Sequence, residues 1–298
     1  MYDADAVKTA LKRPNLALTE LNRLYYTRGQ TREYNPNGTD IFNEDWDNLI
    51  ILDACRFDIF EEYLPLDSFT GSLEYRISRG SATREWIRGN FTNRDLYDTV
   101  YIDSNGYYAR LKDEIEAEVY KYNLVENDAF GGISASPEIV TEAAINAANE
   151  YPHKRLLIQY MQPHQPFFGP TGENINYKDK FPKTVSENNL DADTLFQAYR
   201  ENLEIALNSV LDLINKLDGK TVISSDHGEL LGESQSPLPA TYYGHPAGLY
   251  VPTLVRVPWF VIDSEDRRRI RGGTPEQDEV GLDSKEIDEK LRGLGYKI

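Results

Sequence analysis

One cysteine, Cys55, and four histidines are all that the 298-residue chain has of the two residue types that most often bind soft metals, and its 32 basic residues face 49 acidic ones. Each shortage excludes something. A lone cysteine excludes an internal disulfide and any cysteine-cluster metal site. It follows an apolar run and reads as a small buried residue. The net charge of -17 excludes a general nucleic-acid binder or membrane-surface binder, either of which needs a basic patch. So acidic a surface reads first as a solvated one, and it fits a salt-adapted cytoplasm such as that of a salt-adapted archaeon. No apolar run approaches the ~18 residues of a membrane span. The opening Met-Tyr-Asp-Ala-Asp-Ala-Val-Lys lacks the basic and apolar regions of a signal peptide, so the expected location is cytoplasmic. No Gly-x-Gly-x-x-Gly follows the first apolar run, which argues against a dinucleotide binder.

What is present is a repeated form. Leu49, Ile50, Ile51 and Leu52 make a run without polar alternation, the mark of a strand buried on both faces in a mostly parallel sheet, and the run ends on Asp53. Far downstream Thr221-Val-Ile-Ser-Ser runs into Asp226-His227-Gly228. Ligand sites of such sheets lie past the carboxyl ends of the strands. Two strands that deliver hard ligands to one edge therefore predict a metal site on an α/β fold. Further strands are expected at 98–102, 155–161 and 253–257, the last ended by Pro258-Trp259. Helices are expected at 136–149, at 194–217 on a Leu203, Leu207, Val210, Leu211 stripe, and near Ile287 and Leu291. Residues 170–190 read as a surface excursion, and 232–248, broken by prolines, as an irregular loop. A helical pattern through Leu11, Leu16, Leu18, Leu21 and Leu24 predicts an N-terminal helical extension, residues 1–40, packed on one domain, 41–298, since both ligand strands must share a sheet.

Other residues carry chemistry less directly. Arg56 opens a helix at the site edge and suits bidentate contact with a tetrahedral oxyanion, or a salt bridge to Asp58, Glu61 or Glu62. Ser81 and Thr83 precede a helical pattern, where either hydroxyl serves as an N-cap. Asn105 is placed to donate to a substrate oxygen, although Asp103-Ser-Asn after a strand is ordinary turn chemistry. His164, His227 and His245 fall in loops, whereas His153 precedes a strand. Arg267, Arg268 and Arg269 read as a solvated charge run or an anion contact.

Ile-Leu-Asp-Ala-Cys-Arg-Phe-Asp (51–58) and Ile-Ser-Ser-Asp-His-Gly-Glu-Leu-Leu-Gly-Glu (223–233) together resemble the sulfatase-like branch of the alkaline phosphatase superfamily. Ser-Ala-Thr-Arg-Glu-Trp (81–86), Gln-Pro-His-Gln-Pro-Phe (162–167), Gly-His-Pro (244–246) and Leu-Arg-Gly-Leu-Gly-Tyr (291–296) follow in the family's order. The resemblance implies a three-layer α/β/α, alkaline phosphatase-like fold. It implies metal ligands Asp53, Thr83, Asp226 and His227, with Thr83, or Ser81 in second place, as a metal-activated nucleophile. Their three oxygens and one nitrogen suit Zn²⁺ or Mn²⁺ better than Ca²⁺. Sulfatases carry Cys-x-Pro-x-Arg at the nucleophile, and this chain does not. That favours a phosphoryl substrate or an unusual sulfuryl one. Two-metal members have an Asp four residues before a histidine like His164; here that position is Tyr160, so one ion is expected rather than two. His164 and His245 become substrate contacts, and His164 suits a leaving-group acid as well. The expected activity is a metal-dependent ester hydrolase acting on a small-molecule or glycan ester. The alternatives are a phospho- or sulfotransferase to a glycan or lipid hydroxyl, and a non-catalytic metal-binding relative.

Overall fold

A computed structural model describes residues 14–64, 70–126, 128–178, 180–276 and 284–294. Leu11 and the final Gly-Tyr of the closing motif lie outside the described residues. A seven-stranded sheet runs through the centre in the order β2 (Ser72–Ile77), β9 (Arg256–Ile262), β6 (Thr221–Ser224), β1 (Asn48–Leu52), β5 (Arg155–Tyr160), β3 (Arg94–Asp103), β4 (Ala117–Leu124). β9 is antiparallel to both its neighbours, and the other pairings are parallel. The fold is thus α/β with a mostly parallel sheet.

The unbroken apolar run of β1 has a direct cause. Ile50 and Leu52 enter one core, beneath the helices α5 (Pro137–Glu150) and α7 (Ala192–Ile214). Leu49 and Ile51 enter the other, with Trp86 and Phe91 of α3 (Thr83–Phe91) and with Ile287 and Leu291 of α9 (Ser284–Gly293). All five β1 residues are buried. A strand covered by helices on both faces has no exposed side on which a polar residue would be favoured, and this makes the molecule three layers deep. β1 lies between β6 and β5, so the chain leaves it in one direction and returns on the other side, the arrangement that opens a crevice beyond the carboxyl ends.

Most expected elements form close to their predicted bounds, and three differences have physical reasons. The strand expected at 253–257 begins instead at Arg256, after a helical turn α8 (Pro252–Val255) that Pro252 starts from its first position. Pro258 does not end it. It lies opposite Tyr75 of β2, one residue before the pairing with β6 starts at Trp259, so its missing N–H is needed on one side only. The stretch 232–248 contains a hairpin of β7 (Leu230–Ser234) and β8 (Thr241–Gly244), with a small core of its own around Leu230, Leu249 and Leu254. Proline spacing hid it. The N-terminal helix α1 (Pro14–Thr27) reaches this segment rather than the outside of the main sheet, through an exchange between the Asn22 side chain and the Leu238 backbone. Arg267 pairs with Asp45 and Asp47, and the Arg268 side chain donates to the Asp218 carbonyl, which leaves no anion site there to describe. Among the described residues no helix is long and apolar enough to cross a membrane.

One packing detail is testable. Lys290 on α9 donates to the Val125 carbonyl at 3.1 Å, and burial pulls its ammonium from the ordinary 10.5 down to about 8, with Asp103 offsetting part of that pull. The unfolded chain then holds this proton more tightly across that interval, so the Lys290 contribution to stability rises as pH climbs from about 8 towards 10.5. Urea midpoints measured across this range should show the parent gaining on Lys290→Met; parallel curves would mean the ammonium is solvated.

Candidate metal centre

β1 and β6 are adjacent and parallel, so the residues that follow them emerge side by side. Asp53, Asp226 and His227 are fully buried there, with ligand atoms all within 4.8 Å of one another. The local backbone is arranged to hold them. Ala54 takes the left-handed conformation at φ 59, uncommon for a residue with a side chain, and its N–H donates to Asp226 Oδ1 at 3.0 Å. The His227 N–H donates to the same oxygen at 2.9 Å. Gly228 is required by space: a Cβ there would sit 2.0 Å from the Thr253 carbonyl oxygen, which belongs to the turn before β9.

Thr83 completes the group. It is the first residue of α3, fully buried, and its hydroxyl donates to Asp226 Oδ2 at 2.8 Å while standing 3.2 Å from His227 Nε2. His227 Nδ1–H donates to the Gly228 carbonyl at 2.9 Å, which leaves Nε2 with its lone pair towards Thr83 and Asp226. Burial also pushes the His227 proton affinity down, so the ring is neutral. Asn105 donates to Asp53 Oδ2 at 2.8 Å and Gln159 to the same oxygen at 3.3 Å. These partners of the two carboxylates are neutral amides, a hydroxyl and backbone N–H groups. Two carboxylates in a dry site, held by neutral donors, are costly unless a cation joins them. Asp53, Thr83, Asp226 and His227 therefore fit a divalent ion, with three oxygens and one nitrogen to offer.

A second group stands beside the first. The His245 ring lies 4.3 Å from that of His227 and 5.2 Å from that of His164, centre to centre. His164 Nδ1–H donates to the Gln165 carbonyl at 2.6 Å, and His245 Nδ1 faces both Glu229 oxygens at 3.1 and 3.2 Å. Burial pushes His164 and His245 down to about 4 and Glu229 up to about 7. The His245–Glu229 contact is then a hydrogen bond from a neutral imidazole rather than a full ion pair. The acid that Tyr160 does not supply comes from Glu229 instead, three residues past Asp226 at the root of the hairpin. Tyr160 points into the helix layer, its hydroxyl on Thr141 of α5 at 2.7 Å. Sequence reasoning passed over Glu229, although its place directly after Asp-His-Gly was the available signal.

The remaining candidates fall on either side. Ser81 is buried, but its hydroxyl is engaged by Glu85 at 2.9 Å and the Pro246 carbonyl at 3.0 Å, away from the two aspartates. Arg56 forms the salt bridge that was one of its two expected roles: its guanidinium meets both Asp58 oxygens, at 3.0 and 2.6 Å, and Glu233. Asn105 acts on Asp53 rather than outward, and its own N–H closes the predicted turn on Asp103 at 2.7 Å. His153 is exposed at the opposite end of β5. Asn202 on α7 was not anticipated. It donates to the carbonyls of Pro163 and His164 at 3.1 and 3.0 Å and accepts from the Phe168 N–H at 2.8 Å, which fixes the His164 loop to the crossover helix.

Two outcomes follow from this geometry. Zn²⁺ or Mn²⁺ added to chelator-treated protein should raise its melting temperature, by an amount equivalent to about 2.7 kcal/mol at a hundred times the dissociation constant, and Asp226→Asn should abolish most of the shift. Asn202→Ala should cost about 1–3 kcal/mol in urea unfolding, because buried carbonyls of the His164 loop lose their donor.

No protein-family model and no curated protein sequence matches the chain. Solved structures do match. The soluble domain of lipooligosaccharide phosphoethanolamine transferase A from Neisseria meningitidis superposes with a TM-score of 0.53 at 12% identity, over 73% of this chain and 76% of that one. The integral membrane form of that transferase, from the same organism, gives 0.53 at 13% identity over 73% of this chain and 47% of that one, so the chain spans about half its length. A protein in the alkaline phosphatase superfamily from Vibrio parahaemolyticus is matched at a TM-score of 0.44 and 14% identity, over 94% of this chain and 75% of that one. Sulfatases are also among the structural neighbours. At such identities the likeness to the two transferase structures establishes architecture alone, the three-layer α/β/α fold with a mostly parallel sheet.

Proposed function

We propose that the chain is a metal-dependent enzyme that hydrolyses phosphate or sulfate esters, with Thr83 as nucleophile. The observation that supports this most is the Thr83 hydroxyl, buried and hydrogen-bonded at 2.8 Å to Asp226, with His227 Nε2 3.2 Å away. A hydroxyl whose only task was to cap a helix would not need two ionisable neighbours. One divalent ion, Zn²⁺ or Mn²⁺, held by Asp53, Thr83, Asp226 and His227, supplies the Lewis acidity that lowers the Thr83 hydroxyl pKa.

Asp226 accepts the Thr83 proton and orients the oxygen for attack. A bond forms from Thr83 Oγ to phosphorus or sulfur as the bond to the leaving oxygen breaks, which leaves the group esterified to Thr83. An anionic ester in the crevice favours the charged forms of His164 and His245. Their Nε2 atoms then take up protons, donate to non-bridging oxygens and return a proton to the leaving alcohol. Water entering from the leaving side cleaves the Thr83 ester in the second half. Asn105 and Gln159 keep Asp53 in place throughout.

A second reading, transfer to an acceptor hydroxyl, uses the same first half. It draws on the printed activity of the two phosphoethanolamine transferase structures, whose fold the chain shares. One experiment separates the two. Metal-loaded protein is mixed with aryl phosphate monoesters, aryl phosphodiesters and aryl sulfates, quenched in acid and mapped by mass spectrometry. A Thr83 adduct that turns over in water supports hydrolysis; an adduct that persists until an alcohol is added supports transfer. Thr83→Ala should lower turnover by roughly 10⁴-fold or more. Folded, metal-loaded protein that forms no adduct with any ester class would sink both readings.

A further inference from the structure

A cavity of about 460 Å³ opens against His164 and His245, with Ala82 and Arg84, the neighbours of Thr83, in its lining. Its wall includes Tyr107, Tyr242 and Tyr243, with Arg84 and Lys180 at its rim. Three features set it apart. Among the described residues that line it there is no Asp or Glu, in a chain of net charge -17. By contrast, another hollow of the surface is walled by Asp95, Asp113, Glu116, Glu118 and Glu276. Arg84 and Lys180 are exposed, and neither has an ion-pair partner among the described residues. Gln165, also on the wall and only 3% exposed, has a buried carbonyl oxygen with no hydrogen-bond partner. A buried acceptor left open next to a reaction centre calls for a donor from the ligand.

We infer that this cavity takes the alcohol portion of the ester, and that this portion is a ring bearing a negative charge of its own. The inference rests on the reading of the Thr83 site as an ester-transfer centre and extends it to the substrate class. The tyrosines offer flat, amphipathic surface to a ring, Gln165 accepts from a ring hydroxyl, and Arg84 and Lys180 hold the second anion. Arg84 follows Thr83 directly on α3, so the charge that reads the alcohol and the oxygen that attacks the ester move as one unit. Lys180, just ahead of α6 (Phe181–Asn188), closes the opposite rim. Away from these two cations the field of the protein repels anions, so any preference for a charged alcohol has to originate here.

The test uses two aryl esters of whichever group the protein turns over, one of 4-(carboxymethyl)phenol and one of 4-methylphenol, whose phenols have similar leaving ability. The charged ester should be preferred in kcat/KM by roughly tenfold or more at low salt, and the preference should shrink as salt is added. In the Arg84→Gln/Lys180→Gln double variant the ratio should fall to near one or invert. A parent ratio near one, or a ratio that survives in the double variant, overturns the inference. Binding of the matching carboxymethylphenyl and tolyl phosphonates to the metal-loaded protein is measured in parallel and needs no turnover. Absent turnover with the binding preference intact would remove the ester-transfer reading and leave the charged-ring pocket standing; absent preference in both measurements would remove the pocket assignment alone.

Discussion

Two carboxylates, Asp53 and Asp226, are buried side by side at the ends of adjacent parallel strands, and much of the structure can be understood as what it takes to keep them there. Each is desolvated, and a cation shared between them would offset the cost of burying the pair. Parallel pairing of β1 with β6 fixes their spacing through the backbone. The left-handed turn at Ala54 and the tight approach at Gly228 then bring N–H groups and a hydroxyl to bear on Asp226, and Asn105 and Gln159 do the same for Asp53. Two hydrophobic cores, one on each face of the sheet, make the scaffold stiff enough that these donors do not have to search for their acceptors.

The site also divides by chain segment. Asp53, Asp226, His227 and Thr83 come from strand ends and a helix start anchored in the two main cores. Glu229, His245 and two tyrosines of the cavity, Tyr242 and Tyr243, come from the hairpin and its edges, which have a small core of their own, while Tyr107 comes from the helix after β3. His164 belongs to a third segment, tied to α7 by Asn202 and to β1 by its N–H on the Asp53 carbonyl. On the proposed reading, the part that would handle the transferred group is built on the most buried elements, and the part that would meet the alcohol on more peripheral ones. That division lets one architecture serve different esters.

Much of this was legible in the sequence where burial and chemistry both leave marks. The run Leu49 to Leu52 with Asp53, and Asp226-His227-Gly228 after a short strand, identified the parallel core and the ligand edge together. Thr83 over Ser81 followed from resemblance, and the structure brings Thr83 to Asp226 and His227 while Ser81 turns to Glu85. Less legible were elements whose pattern is overridden by neighbours. Pro258 reads as a strand end and is not one, because it sits where β9 pairs with β2 alone, before the ladder with β6 begins. The hairpin was hidden by Pro237 and Pro239, which occupy its connection rather than its strands. Arg56 could not be decided from sequence, since Glu233, its distant partner, comes from the other end of the chain. Glu229 was missed because attention went to Tyr160, the position where an acid was sought, and not to the edge where one arrived by another route.

Gly228 has a meaning for the descent of such chains that differs from that of the residues before it. On the proposed function Asp226 and His227 are held by what they do, whereas Gly228 is held by the Thr253 carbonyl, which leaves no room for a side chain whether or not anything is catalysed. A lineage that abandoned the chemistry would be free to drift at the first two positions and still be confined to glycine at the third. The three letters of one short motif therefore record two separate histories, one of activity and one of architecture, and a descendant that kept the glycine while losing the acid would be recognisable as a fold that had outlived its reaction.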